Sequence, residues 1–250
     1  MHPNKIPEPP PLARDIALFL DFDGTLVEIA ERPQDVRLAP GLAGLLSRRH
    51  DDLDGALAVV SGRRLGEIDA FLSPLRLAGS GMHGLEFRKA AGAPAILREA
   101  DPEVAELRER LKRADPHARG LVIEDKGAGL VLHYRHRPEL AGLARDLMAG
   151  LLEDLPGLHL LEGKMIVEVK PKHTSKGTSV EMLLSLPPFA GRQPVFIGDD
   201  VTDEDGMAAA DRLGGFGIKV GEGESVARYR LADVAAVHSW LAGKGAHDKD

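Results

Sequence analysis

Two aspartates at the end of one apolar run set the chemical question. Residues 16–26 read IALFLDFDGTL, so an apolar run leads into Asp21, then Phe22, then Asp23, with Gly24 behind them. Acids spaced this way suit two roles. They are solvated groups where a strand leaves the core, or they are a nucleophile and a proton carrier beside a cation. Later runs end in groups of similar kind: GALAVV delivers Ser61-Gly62-Arg63, and PVFIG delivers Gly198-Asp199-Asp200-Val201-Thr202-Asp203-Glu204. In an open parallel sheet, ligands bind beyond the carboxyl ends of the strands, so exits that share this position point to one site. If Asp21, Asp23 and Asp199 converge, each pair at about 4 Å repels by about 1 kcal/mol in water and about 4 kcal/mol at an effective dielectric of about 20. Such a cluster calls for a cation or for protons. Oxygen donors with no histidine or cysteine alternative favour Mg2+, which keeps some waters and takes one or two carboxylates plus a phosphate oxygen.

A carboxylate beside such an ion is competent to attack phosphorus, forming an aspartyl-phosphate that water later hydrolyses. A second acid close by can protonate the departing oxygen and then activate that water. The Ser61 hydroxyl and a lysine ammonium would hold the equatorial phosphoryl oxygens, where charge must be held during transfer. Lys176, in HTSKGTSVEMLL, follows Thr174 and Ser175, either of which can cap a helix and turn its free backbone donors toward an anion. The plainer reading of Lys176 is a solvated lysine in a first helical turn.

These groups need a frame, and the hydrophobic pattern supplies one. IALFL, GALAVV, PVFIG and GFGIKV lack polar alternation, and the first three are each followed by a helical segment: PGLAGLLSRRH, RLGEIDAFL and DEDGMAAADRL. Strands buried on both faces and alternating with helices imply parallel pairing, hence a Rossmann-like, doubly wound, mainly parallel α/β sheet. The middle of the chain follows another rule. GLVIEDKGAGLVLHYR (120–135) reads as two strands around a turn at Lys126 to Gly129, and LHLLEGKMIVEVK (158–170) as another pair around Glu162 and Gly163. Segments 102–114 and 138–155 carry apolar residues at helical spacing, so each can lay one face on that small antiparallel sheet. An inserted α+β module is therefore expected at 88–170, within a core of 14–87 and 171–243. The proline-rich residues 1–13 are expected to form a flexible arm and 244–250 a frayed tail.

Bulk properties narrow the class of function. A chain of 250 residues, 43% hydrophobic, can build a substantial core. Its net charge of -7 argues against a nucleic-acid or membrane-surface binder that works by neutralising phosphates. The absence of cysteine excludes disulfides, thiolate metal sites and a cysteine nucleophile. No stretch approaches the roughly 18 apolar residues of a membrane span, and no secretory pattern opens the chain, so a cytoplasmic soluble protein is expected, as a monomer.

DFDGTL, SGR, the lysine of SKG and GDDVTDE, in that order, resemble the four motifs of the haloacid dehalogenase-like phosphohydrolases. GMHGLE (81–86), VIEDKGAGLVLHYR, LEGKMIVEVKP and LGGFGIKVG are similar to segments of the trehalose-6-phosphate phosphatases, more than to the sucrose-phosphate or phosphomannomutase relatives. The resemblance spans about 16–242, with little contribution from 88–119. It implies Asp21 as nucleophile, Asp23 as general acid and base, and Ser61 and Lys176 as phosphoryl grips. Mg2+ would be held by the Asp21 carboxylate, the Asp23 carbonyl and Asp199, with Asp203 behind them and Asp200 orienting a metal-bound water or Lys176. The insert resembles the caps of this superfamily, which implies that Glu124, Lys126 and Glu168 meet sugar hydroxyls of trehalose 6-phosphate. Each has a bland alternative as a turn or wet strand residue. His83 and the adjoining Gly84 are candidates for contact with sugar or phosphate at the domain junction, or for a structural role. Arg63 either meets substrate or pairs with a core acid. Two rivals stay open: a phosphatase for another sugar phosphate such as sucrose phosphate, and a non-catalytic signalling module phosphorylated on aspartate.

Overall fold

The run Ile16–Leu20 has no polar side chain, and it forms a strand, β1, buried along its whole length. The computed structural model describes residues 6–30, 35–98, 101–127, 129–163 and 165–243, except for the side chain of His83. Residues 1–5 of the expected arm and the expected tail 244–250 lie outside the described residues. On one side β1 pairs in parallel with β10 (Gln193–Gly198), and on the other with β2 (Leu57–Val60). The sheet continues through β3 (Ala78–Gly81) in one direction, and through β11 (Phe216–Val220) and β12 (Tyr229–Leu231) in the other. Successive strands thus step away from β1 to one side while β10 starts the other. The switch in strand order falls between β1 and β10, where open α/β sheets bind their ligands.

Helices α1 (Leu42–Asp52), α2 (Leu65–Leu72), α5 (Lys176–Leu184), α6 (Glu204–Arg212) and α7 (Val234–Leu241) belong to this first unit. Helix α5 starts at a capping box, with Ser175 Oγ accepting from the Thr178 N–H at 3.2 Å and Thr178 Oγ1 from the Ser175 N–H at 3.0 Å. Gly177 lets α5 approach α6 closely: a Cβ there would lie 2.6 Å from the Asp205 carbonyl oxygen. That contact fixes the first turn of α5 against the first turn of α6.

Strands β4 (Glu86–Arg88) and β5 (Ile96–Leu97) extend the same sheet in antiparallel fashion. The second compact unit spans residues 98–174, where 88–170 was expected, and β4 and β5 pair with the core sheet. It contains α3 (Pro102–Ala114), the antiparallel sheet β6-β7-β9-β8, and α4 (Ala141–Leu151). The strands are β6 (Val122–Asp125), β7 (Leu130–His133), β8 (Leu158–Gly163) and β9 (Ile166–Pro171). Leu107, Leu111, Leu130, Leu132, Met148, Val167 and Val169 form its own core. Two local expectations shift. The α-helix expected over 138–155 begins as a short tight turn and stops at Leu151. The second hairpin turns after Gly163, which still pairs with Ile166.

The described part of the N-terminal arm is tied down despite lacking regular structure. The Arg230 N–H donates to the Pro7 carbonyl at 2.8 Å, and Trp240 Nε1 donates to the Pro10 carbonyl at 2.8 Å. Proline segments keep their carbonyls free to accept, and here donors of the first unit use them. Among the described residues no helix is long and apolar enough to cross a membrane.

Arg88 shows how the sheet edge is fixed. Its guanidinium is 2% exposed and meets both Asp69 oxygens, at 2.7 and 2.6 Å, and the Leu77 carbonyl at 3.0 Å. Asp69→Ala strands this buried charge and should lower stability by about 3 kcal/mol, read from the urea midpoint at unchanged slope.

Candidate active site

Strand register delivers the acids side by side. Leu20 of β1 stands opposite Ile197 of β10, so Asp21 leaves its strand next to Gly198, and the Asp21 N–H donates to the Ile197 carbonyl at 2.9 Å. Asp199 follows one residue later. The carboxylates of Asp21, Asp199 and Asp203 then offer oxygens that all lie within 4.8 Å of one another. Gly24 gives Asp199 its room: a Cβ there would fall 2.1 Å from Asp199 Oδ2, and the residue takes a left-handed φ of 77°. Thr25 Oγ1 reaches Asp199 Oδ1 at 3.4 Å.

Lys176, at the start of α5, is buried between two of these acids. Its Nζ donates to Asp21 Oδ1 at 2.7 Å and to Asp203 Oδ1 at 2.5 Å. The other Asp203 oxygen accepts the N–H groups of Asp199 at 3.1 Å and Asp200 at 2.9 Å. Asp203 is thus spent on protein groups, while Asp21 and Asp199 face the cluster. Burial pushes the Asp21 carboxyl up to about 8 against the pull of Lys176, and burial with the neighbouring Asp203 and Asp200 charges pushes Asp199 up to about 6. Burial also raises Asp203. Burial alone would push Lys176 down, but the Asp21 and Asp203 charges outweigh it and leave it at about 12. Three clustered acids, only two of them paired with the Lys176 ammonium, hold their protons too tightly and are short of positive charge. That donor set fits a hard divalent cation, with Asp21 and Asp199 as its carboxylates.

Asp23 lies outside this carboxylate cluster. Both of its oxygens are gripped by the Arg63 fork, Oδ2 by Nε at 2.5 Å and Oδ1 by Nη2 at 2.7 Å. Arg63 is held in turn by ring faces, its guanidinium carbon 5.8 Å from the Phe22 centroid and 5.5 Å from that of Phe71. The hydrogen bond to Asp23 raises the Arg63 pKa. Arg63 is therefore committed to an acid of the site. Ser61 is buried just beyond β2, and its Oγ accepts the Arg63 N–H at 3.2 Å. Asp200 is exposed and uses its side chain to accept the Val201 N–H at 2.6 Å, so the contact with Lys176 falls to Asp203. Gly84, at a positive φ of 110°, lets the turn Met82–Gly84 lie against Ser175 and Ser179. The His83 side chain is outside the described part.

In the second unit, Glu124, Val131, Glu168 and Leu161 are successive register partners across the four strands and share the face turned away from the helices. Glu124 Oε2 meets His133 Nε2 at 2.7 Å, and Lys126 Nζ lies 3.5 Å from Glu168 Oε1. The three expected sugar-contacting residues thus gather on one face of one sheet, each with a polar partner.

The trehalose-phosphatase family model matches residues 19–235. The chain belongs to the trehalose-phosphatase family. Trehalose-6-phosphate phosphatase of Escherichia coli K12 is 38% identical over 234 residues, covering 94% of this chain and 88% of that protein. The structure of trehalose-6-phosphate phosphatase from Aspergillus fumigatus superposes with a TM-score of 0.73 at 25% identity, covering 92% of each chain. A phosphatase of the haloalkanoate (HAD) enzyme superfamily from Bacteroides thetaiotaomicron shares the fold, with a TM-score of 0.65 at 17% identity, over 92% of this chain and 94% of its own. The trehalose-phosphatase match contains every core acid described above, together with Lys219, a buried lysine on β11 that sequence reasoning passed over. The signal for Lys219 was available: it is the one charge in the buried run FGIKV.

The raised carboxyls have a measurable consequence for this trehalose-phosphatase fold. The folded state holds protons on Asp21 and Asp199 that an unfolded chain, with such groups at 3.8, has released. Their contribution to metal-free stability is therefore full below about pH 4, and it is lost as pH rises through about 6 for Asp199 and about 8 for Asp21. A divalent cation should accordingly raise Tm more at about pH 8 than at about pH 5 in calorimetric scans. Equal increments at both would contradict the acid cluster as the cation site.

Proposed function

We propose that this chain hydrolyses trehalose 6-phosphate to trehalose and inorganic phosphate with Mg2+ as its cation, Asp21 serving as nucleophile and Asp23 as proton carrier. The observation that carries the reading is the buried set Asp21, Lys176 and Asp203 beside Asp199, at the switch in strand order. Membership of the trehalose-phosphatase family supports phosphoric monoester hydrolysis and a sugar phosphate as substrate.

The chemistry follows from the groups in place. An Asp21 oxygen forms a bond to phosphorus while the bond from phosphorus to the sugar oxygen breaks, and that oxygen takes a proton from Asp23. In the second half Asp23 removes a proton from water, whose oxygen bonds to phosphorus as the Asp21 acyl bond to phosphorus breaks. Inorganic phosphate leaves, and both carboxyls return to their starting states. Lys176 holds Asp21 for attack and supplies positive charge beside the transferring group. Asp21 and Asp199 would hold the Mg2+, which would supply charge neutralisation for the transferring phosphoryl group. Glu124, Lys126 and Glu168 are proposed to select the sugar, since carboxylates and an ammonium can pair with a hydroxyl-rich ligand and penalise one that leaves them unpaired.

A phosphate-release panel with Mg2+ tests the substrate, with trehalose 6-phosphate expected to lead other sugar phosphates by about tenfold or more in kcat/KM. Asp21→Asn should keep the far-ultraviolet circular dichroism of the parent and lose about a thousandfold or more in turnover. Retained phosphate release by that variant would remove Asp21 from its role. Glu124→Ala should raise KM for trehalose 6-phosphate by about tenfold while leaving a small aryl phosphate within about twofold. Equal losses on both substrates would take Glu124 out of sugar selection.

A further inference from the structure

Lys219 lies within a strand that is buried from end to end, and it is itself 6% exposed. A buried ammonium costs several kcal/mol unless acceptors meet it, so its placement needs a reason. Its Nζ donates to the main-chain carbonyl of Asp199. Lys219 is the register partner of Gly198, and partners across a sheet share a face. The missing side chain at Gly198 admits the Asp203 carboxylate on that face: a Cβ there would lie 2.2 Å from Asp203 Cγ. The Asp199 main chain is consequently held at both polar groups, its N–H by Asp203 Oδ2 at 3.1 Å and its carbonyl by Lys219.

We propose that Lys219 is a positioning residue that aims the Asp199 carboxylate at the metal. The inference rests on the reading of Asp199 as a cation ligand. With the backbone clamped from two sides, only the Asp199 side chain remains to be ordered when a cation arrives. Groups that orient metal ligands from behind alter affinity by about 10- to 100-fold. Charge alone acts in the opposite sense, because removing an ammonium from beside a cation site strengthens cation binding. The sign of the effect therefore separates positioning from electrostatics.

The test is direct titration of the full chain with Mn2+ and no substrate, with free Mn2+ read by electron paramagnetic resonance. Lys219→Met should weaken Mn2+ binding by about tenfold or more and raise the half-saturating Mg2+ in turnover by a similar factor, with kcat at saturating metal within about threefold of the parent. Lys219→Arg, which keeps a cationic donor, should restore Mn2+ affinity to within about threefold. If Lys219→Met lacks the far-ultraviolet circular dichroism of the parent, Lys219→Gln decides: its amide is uncharged and one bond shorter, so the same weakening is expected. Unchanged or tighter Mn2+ binding in a folded Met or Gln variant would overturn the proposal. Failure of the parent chain itself to bind Mn2+ would instead overturn the reading of Asp199 as a ligand.

Discussion

A single ammonium buried between two carboxylates organises the first unit. Lys176 joins Asp21 from the end of β1 to Asp203 from the loop after β10, and it does so from the first turn of a third element, α5. Loss of one partner from such a buried set costs about 3–5 kcal/mol, since the remaining charge has no water to replace it. Three chain segments remote in sequence are thereby kept in register. The capping box at Ser175 and the bare Gly177 serve this arrangement, one by ending the loop and the other by letting α5 press against α6. The same arrangement leaves negative charge in excess, which makes the site receptive to a divalent cation.

The second unit solves a different problem with different means. Its antiparallel sheet has one face packed on α3 and α4 and the other populated by Glu124, His133, Lys126 and Glu168 around Val131. An alternating strand gives such a surface at little cost to its core, because every second residue is free to vary. The buried acids and Lys176 lie at the parallel sheet, while the polar groups proposed to select the sugar occupy a sheet whose other face packs on helices.

Much of this was legible from residue order, for physical reasons that differ by element. Strands β1, β2, β10 and β11 are buried on both faces, so their apolar runs stand out, and the acids at their exits inherit a common position. Helix α3 begins at Pro102 behind the Asp101 cap, and its sequence signals agree with its limits. Strand β3, by contrast, reads AGSG, which carries neither alternation nor bulk, and β4 and β5 are short strands that gain their form from pairing, β4 with β3 and β5 with β4. The insert was expected from residue 88, and the second compact unit begins at Arg98. The Arg63 and Asp23 pair spans 40 positions and depends on two loops emerging from adjacent strands, so no local pattern encodes it. Lys219 was hidden by its surroundings, since a strand of apolar residues is read for burial and its one charge is easily taken as tolerated.

The docked proline arm has a practical meaning as well. The chain has one tryptophan, Trp240, and it is 8% exposed with its indole N–H given to the Pro10 carbonyl. Its fluorescence therefore originates in the first unit, at the place where the arm is stapled to α7. Whenever tryptophan emission and far-ultraviolet dichroism of this chain are followed together, the first trace reports the parallel sheet and its arm, while the second averages over both units. Differences between the two traces then measure how far the units unfold as one.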